Sequence, residues 1–261
     1  MPADSSDKNP QGVEIFFTEA DHRYTSIIND KEIEYISGTT FISKFFTPFD
    51  PDGTITERCA KKENCTVKEI KEKWRLKALE STTLGTKIHE TVEDILLGNM
   101  LRNKPITEKE ILMFSHAEKI AKALKRSVDI LGVEKIVFNH NLKLAGSIDL
   151  FAQSKKDGSY LIIDHKTNKE ISTINYGKFA LNPISHIKDS TFNHYMLQLN
   201  LYAFLLKYSK YVPADAKFKY ILNHITPDGS KMIELPDVQP EISHMVIHHI
   251  LNRKDHNNVI W

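Results

Sequence analysis

Residues Gly146–Lys166 read GSIDLFAQSKKDGSYLIIDHK. Two β-prone runs, Leu144–Gln153 and Tyr160–Asp164, flank Lys156-Asp157-Gly158, which has the turn chemistry of a hairpin. The hairpin predicts that Asp149, in the middle of the first strand, and Asp164, at the end of the second, lie side by side at one edge of a sheet. Two adjacent carboxylates repel unless a cation sits between them. A hard divalent ion such as Mg²⁺ takes carboxylate oxygens and keeps some of its water. Lys166 follows Asp164 by two residues, and positions i and i+2 of a strand share a face. Its ammonium group is expected in the same pocket, where it can orient or deprotonate an attacking water or contact a phosphate oxygen. Alone, Asp164-x-Lys166 also reads as an edge salt bridge, because so short a pattern recurs by chance.

Upstream, residues 67–101 have helical periodicity. One helix is expected to carry Ile70, Trp74, Lys77 and Leu79, and a second Ile88, Val92, Ile95 and Leu96, with a stop at Gly98-Asn99. His89 and Glu93 are four apart on the second and share a face. A neutral imidazole there is a good divalent-metal ligand. Thr107 and Glu110 form a capping box that opens a third helix to about Leu131, closed by Gly132. Lys135–His140 is a strand ahead of the hairpin. Thr191–Tyr208 is an amphipathic helix with Tyr195, Leu199, Tyr202 and Leu206 as its buried stripe, and it sets Gln198 four residues before Tyr202. Lys217–Ile225 is a strand and Ile242–Leu251 a closing helix. Near the N-terminus, Tyr24–Ile28 and Glu32–Ile36 are strands around Asn29-Asp30-Lys31, and Thr39–Phe46 is an apolar helical or irregular segment stopped by Pro48, Pro51 and Gly53. The order predicts an α/β fold with an αβββαβ core, in which helices flank a small mixed sheet. Residues 1–12 are expected as a flexible tail, 13–66 as a β-rich accessory segment and 67–261 as the catalytic domain.

These pieces resemble the PD-(D/E)XK nuclease superfamily, in particular its RecB-like and phage exonuclease branch. That branch carries Gly-x-x-x-His-x-x-x-Glu on a helix, then Gly-x-x-Asp, Asp-x-Lys and Gln-x-x-x-Tyr. Gly85/His89/Glu93, Gly146/Asp149, Asp164/Lys166 and Gln198/Tyr202 follow in that order, over about half the chain. The resemblance implies a restriction-endonuclease-like domain. It implies that His89, Asp149, Asp164 and the main-chain carbonyl of His165 bind Mg²⁺ or Mn²⁺, that Lys166 assists the water, and that Glu93 supports the metal shell. Gln198 and Tyr202 would flank the site against DNA. Glu134 resembles an acidic position common in the branch. The segment with Thr39-Thr40 and Phe45-Phe46 looks like phage-encoded exonucleases, where it helps shape a channel for DNA. The proline of the superfamily's name is absent, Ile148 standing before Asp149. Cluster-bearing relatives need four cysteines; Cys59 and Cys65 are two, so no iron–sulfur cluster is expected.

Composition sets the outer bounds. The 261 residues are 41% hydrophobic and 26% charged, with a net charge of +1, so DNA binding must rest on local clusters of charge. Lys119, Lys122, Lys125 and Arg126, Lys155-Lys156, and Lys207, Lys210, Lys217 and Lys219 can each track phosphates or simply be solvated. Trp74, Tyr176 and Phe179 can stack on unpaired bases or pack in the core. His244, His248, His249 and His256 lack the carboxylate or thiolate pattern of a second metal site. No run is long enough for a membrane helix and no secretory signal is evident; with only two cysteines, a reducing, cytoplasmic setting is expected. The leading expectation is a DNA exonuclease of phage or viral recombination, replication or repair, acting with a single-strand annealing or replication partner. An endonuclease on the same fold and a catalytically silent DNA-binding protein are the alternatives. Nothing in the sequence selects an oligomeric state.

Overall fold

A computed structural model describes residues 5–253. The N-terminal part is a meander of β1 (Ser5–Lys8), β2 (Glu14–Thr18), β3 (Arg23–Ile28) and β4 (Lys31–Ser37), followed by the short helices α1 (Gly38–Ser43) and α2 (Thr54–Lys62). Then come α3 (Val67–Leu97), α4 (Glu108–Ser127), β5 (Val128–Asn139), β6 (Leu144–Ser154), β7 (Tyr160–Lys166), α5 (Thr191–Tyr208), β8 (Phe218–Thr226), β9 (Gly229–Leu235) and α6 (Gln239–Asn252). The expected αβββαβ order is present as α4, β5–β7, α5 and β8. The sheet is not small. It has nine strands in the order β1-β2-β3-β4-β6-β7-β8-β9, with β5 on the other edge of β6. The β4–β6 and β7–β8 pairs are parallel and the rest antiparallel.

The sequence expectations need five corrections. Ser5–Lys8, expected as tail, pairs with β2 from Ser5↔Phe17 to Lys8↔Glu14. The N-terminal segment holds α2 besides its strands and the helix α1 within the expected Thr39–Phe46 segment. Residues 67–97 form one helix, because the Thr66–Glu69 capping box opens it, Gly98 closes it in the left-handed conformation at φ 78°, and no proline interrupts it. The α4 helix ends at Ser127, where the β-rich run from Val128 takes over. Gly132 then lies in β5 just after a register shift rather than at a helix cap. Finally, β9 was not expected; its Gly229-Ser230-Lys231 start is polar and hides the strand.

Two helical layers clamp the sheet. Apolar side chains of α1, α5 and α6 pack with Leu144, Ile148, Phe151, Ile162 and Leu222 on one side. Those of α3 and α4 pack with Leu150, Ala152, Leu161, Ile163 and Ile225 on the other. Ile148 and Leu150 should share a face of β6, yet they join opposite clusters, so the alternation slips at Asp149. A third cluster, with Ile15, Tyr24, Tyr35, Phe138 and Ala145, fastens the N-terminal meander to β5 and β6.

The sheet also forks there. One edge of β6 is covered by β5 along its length. The other is shared: β4 pairs with Leu144 and Ala145, and β7 with Leu150–Gln153. Gly146–Asp149 have no strand partner on that edge, and the opening between β4 and β7 holds the chemistry described next.

The capping box of α4 is tied to α3. Glu110 receives backbone N–H groups of Ile106 and Thr107, and Lys87 Nζ lies 2.7 Å from its carboxylate. These contacts, the lysine first, hold the Glu110 carboxyl down at about 2. Because the folded pKa is depressed, the stabilisation is complete above the ordinary value of 4.5 and is lost as pH falls towards 2. Glu110→Gln is expected to cost about 1 kcal/mol at neutral pH. Thermal melts of both proteins should converge as the pH falls through that window; a constant gap would contradict the assignment.

Candidate metal and catalytic site

Three chain segments converge at the fork. His89 comes from α3, Glu134 from β5 and Asp149 from β6, and one potential ligand atom of each lies within 4.8 Å of the others. His89 Nδ1 is 3.3 Å from Asp149 Oδ2. Glu134 faces Asp149 across the strand pair, between the Val133↔Leu150 and Lys135↔Ile148 partners. Its backbone is left-handed, φ 49°, which costs a non-glycine residue roughly 1–2 kcal/mol. This local turn and the slip at Asp149 go together. They bring side chains from two adjacent strands to one point, and Ser147 Oγ donates to Glu134 at 3.1 Å.

Glu134 keeps an exposed face, yet its carboxyl is pushed up, by local desolvation first and next by the charge of Asp149. The cluster therefore carries more negative charge than it holds comfortably at neutral pH. A divalent cation relieves this, and an imidazole with two carboxylates suits Mg²⁺ or Mn²⁺. The residues present fit the metal that the motif resemblance implies.

Asp164 and Lys166 face α5. Lys166 Nζ is 2.6 Å from Asp164 Oδ2 and 4.7 Å from the centre of the Tyr195 ring. Burial alone would push the Lys166 ammonium down; Asp164 and Asp149 more than reverse this and hold it above its usual range. The β7 strand parts from β6 here. Where Asp149 and Asp164 would be the next paired residues, Asp149 Oδ2 instead accepts the backbone N–H of His165 at 2.7 Å. This bond ties Asp149 to the end of β7 beside Asp164, whose carboxylate is not among the convergent ligand atoms.

His165 points its side chain to the other face. The imidazole is buried, 2.9 Å by Nδ1 from the Asn223 amide of β8, and meets the His89 ring edge to face at 5.6 Å. Burial pushes it down to about 3, so it is neutral. It buttresses His89 from behind. Asn223 was missed in the sequence, although a lone amide inside the apolar run of β8 was a visible signal.

The remaining candidates divide. Gln198 Nε2 donates to the Tyr202 hydroxyl at 3.0 Å. Tyr202 is buried between two glycines: a Cβ on Gly146 would lie 2.3 Å from its Cε1, and one on Gly38 2.8 Å. Its ring is occupied by packing, not free for base stacking, and the Gly-x-x-Asp and Gln-x-x-x-Tyr motifs meet in that contact. Gly85 serves a similar close approach, since a Cβ there would sit 3.1 Å from Thr167 Oγ1, just past Lys166. Glu93 is ion-paired with Arg102, which also binds Asp94 at 2.9 Å. Its charge reaches Glu134, but it is not among the convergent ligand atoms. Trp74 is fifteen residues from His89 on the same helix, roughly 22 Å along its axis, and packs near Phe49. The structure does not bring it to the cluster. Among the C-terminal histidines, His248 packs on Phe45 and His249 on Phe41, and His249 Nε2 lies 3.0 Å from the Leu142 carbonyl oxygen. They form no metal cluster with His244 among the described residues, and His256 lies outside them.

A family model described as the PD-(D/E)XK nuclease superfamily matches residues 64–248. The chain belongs to this superfamily. The match contains every convergent residue above and ties the PD-(D/E)XK fold to a metal-dependent nuclease chemistry. PD-(D/E)XK nucleases use divalent metals, in keeping with the His89, Glu134 and Asp149 cluster. No curated protein matches the chain. A solved protein described as "Crystal structure of SSO0001" aligns with 83% of this chain and 74% of its own, at 17% identity and a TM-score of 0.34. Among the described residues no helix is long and apolar enough to cross a membrane.

Proposed function

We propose that the protein is a divalent-metal-dependent DNA exonuclease. The observation that carries this reading is the convergence of His89, Glu134 and Asp149 beside the Asp164–Lys166 pair at the fork of the sheet. His89, Asp149 and Glu134 would hold Mg²⁺ or Mn²⁺, with Asp164 and the main-chain carbonyl of His165 completing the set. When bound, the metal supplies a Lewis acid that stabilises charge on the phosphate and acidifies water. Lys166, kept as an ammonium by two aspartates, contributes positive charge and a hydrogen bond to a phosphate oxygen or the attacking water. Asp149 orders the end of β7 through the His165 N–H, and Asp164 and the Tyr195 ring hold the Lys166 side chain in place. The resemblance to phage exonucleases supports a role in recombination, replication or repair of phage or viral DNA, together with an annealing or replication partner.

End-labelled linear DNA and a closed circle, each incubated with Mg²⁺, test the reading. The linear substrate is expected to shorten from its ends, the circle to survive, and a chelator to stop the reaction. Cutting of the circle would make the protein an endonuclease. Intact linear DNA would make it a silent binder.

A further inference from the structure

Next to the metal cluster, where the pairing of β4 with β6 ends, lies a cavity of about 390 Å³. We propose that it is a pocket for the terminal nucleotide of a single DNA strand. The inference rests on the exonuclease reading and deepens it. One wall is aromatic: Phe17 lies 4.7 Å from Tyr24 and 5.8 Å from His22, centre to centre. The lining also includes Ser37, Thr39 and Thr40, which carry hydroxyls, and the carboxylate residue Asp21. Aromatic and hydroxyl side chains in one cavity match the two halves of a nucleotide, a base that stacks and a sugar-phosphate that accepts hydrogen bonds.

The floor joins the pocket to the chemistry. It contains Gly146 and Ser147, and Ser147 is the residue that donates to Glu134. The Tyr24 hydroxyl lies against the Ser147 backbone. A nucleotide seated here has its phosphodiester at the mouth of the fork. The volume is at the lower end of ligand pockets, about 300–1,000 Å³, too small for a duplex end.

The far side decides between an end pocket and a through-path. Asp21 and His22 stand at the boundary of this cavity with a second hollow of about 440 Å³, where Glu34 adds a further carboxylate. The cation there is Arg23, already shared by Glu32 at 3.2 Å, Glu34 at 3.3 Å and Asp21 at 3.8 Å. A polyanion does not run through an acid-lined exit whose cation is neutralised. The strand therefore stops in the first cavity, and cleavage is counted from its terminus.

Binding, read without turnover, tests this. Ca²⁺ replaces Mg²⁺, and fluorescence anisotropy compares a linear single-stranded oligonucleotide with the same sequence closed into a circle. Wild-type protein is expected to bind the linear form more tightly. Thr39→Glu places a carboxylate at an exposed position of the lining without disturbing the core. It is expected to weaken linear binding by about tenfold or more and circle binding by less than about twofold. His22→Asn keeps a residue tolerant of the left-handed turn (φ 52°) while removing the ring, and should show the same selectivity for the linear form. Equal binding of both forms by the wild type, or equal effects of the variants on both, overturns the pocket. Because the readout needs no hydrolysis, a protein that cuts nothing can still show the pocket. One that trims linear DNA normally while Thr39→Glu binds it unchanged keeps the nuclease reading and loses this one.

Discussion

Lys166→Met is expected to lower the single-turnover rate of DNA cleavage by about three orders of magnitude, roughly 4 kcal/mol of lost transition-state stabilisation. Lys166 faces Asp164 and Asp149 and stays charged despite burial, so its contribution is a fixed positive charge in a place water barely reaches. Methionine has similar length and packs acceptably on the Tyr195 ring. Asp164 is left without its ammonium, but burial already favours its neutral form, so the variant should lose only about 1–2 kcal/mol of stability. Asp164→Ala should differ. It too should be inactive, yet it strands the Lys166 ammonium in the interior and should cost about 3–5 kcal/mol. The lysine substitution should therefore spare the fold, whereas the aspartate substitution should not, because Asp164 is only 5% exposed. A Lys166→Met protein cutting DNA within about tenfold of wild type would remove the lysine from the mechanism.

The hairpin was legible because its information is local. Alternation on either side of Lys156-Asp157-Gly158 sets the register that brings Asp149 towards Asp164. His89 was legible because helical spacing and the glycine at position 85 mark one face. What stayed hidden depends on distant partners. Glu134 sits in a run whose pattern says strand, and only the slip opposite Asp149 and its left-handed backbone bring it into the cluster. The resemblance pointed to it; periodicity did not. The parallel contact of Ile36 and Ser37 with Leu144 and Ala145 joins segments more than a hundred residues apart, so no window of sequence shows that the N-terminal meander extends the catalytic sheet. Glu93 shows a different limit. Its spacing from His89 is right, but Arg102, nine residues on in a loop, pairs with its carboxylate. Trp74 was assigned by residue type alone, and the length of one uninterrupted α3 carries it away from the site.

Gly146→Ala is expected to destabilise the protein by about 3 kcal/mol, a fall in Tm of roughly 6–12 °C. The new methyl group would sit 2.3 Å from Tyr202 Cε1 and 2.9 Å from Cζ. The ring has little freedom to yield, because the same Cε1 also meets Gly38 closely and Gln198 holds the hydroxyl. Something in β6 must move instead, and Asp149 is three residues along the same unpaired edge. A displacement near 1 Å at the carboxylate is enough to cost about a hundredfold in rate, so kcat should fall even in the molecules that fold. Tyr202→Leu alone should cost about 2–4 kcal/mol through the cavity it leaves. The two changes should not add: with the ring gone the methyl group has room, and the double variant should be about 2 kcal/mol more stable than the sum of the singles implies. Part of the lost rate should return with it. Strict additivity in denaturant melts would mean that Gly146 is required for its backbone and not for the ring, and the physical link between the two motifs would be lost.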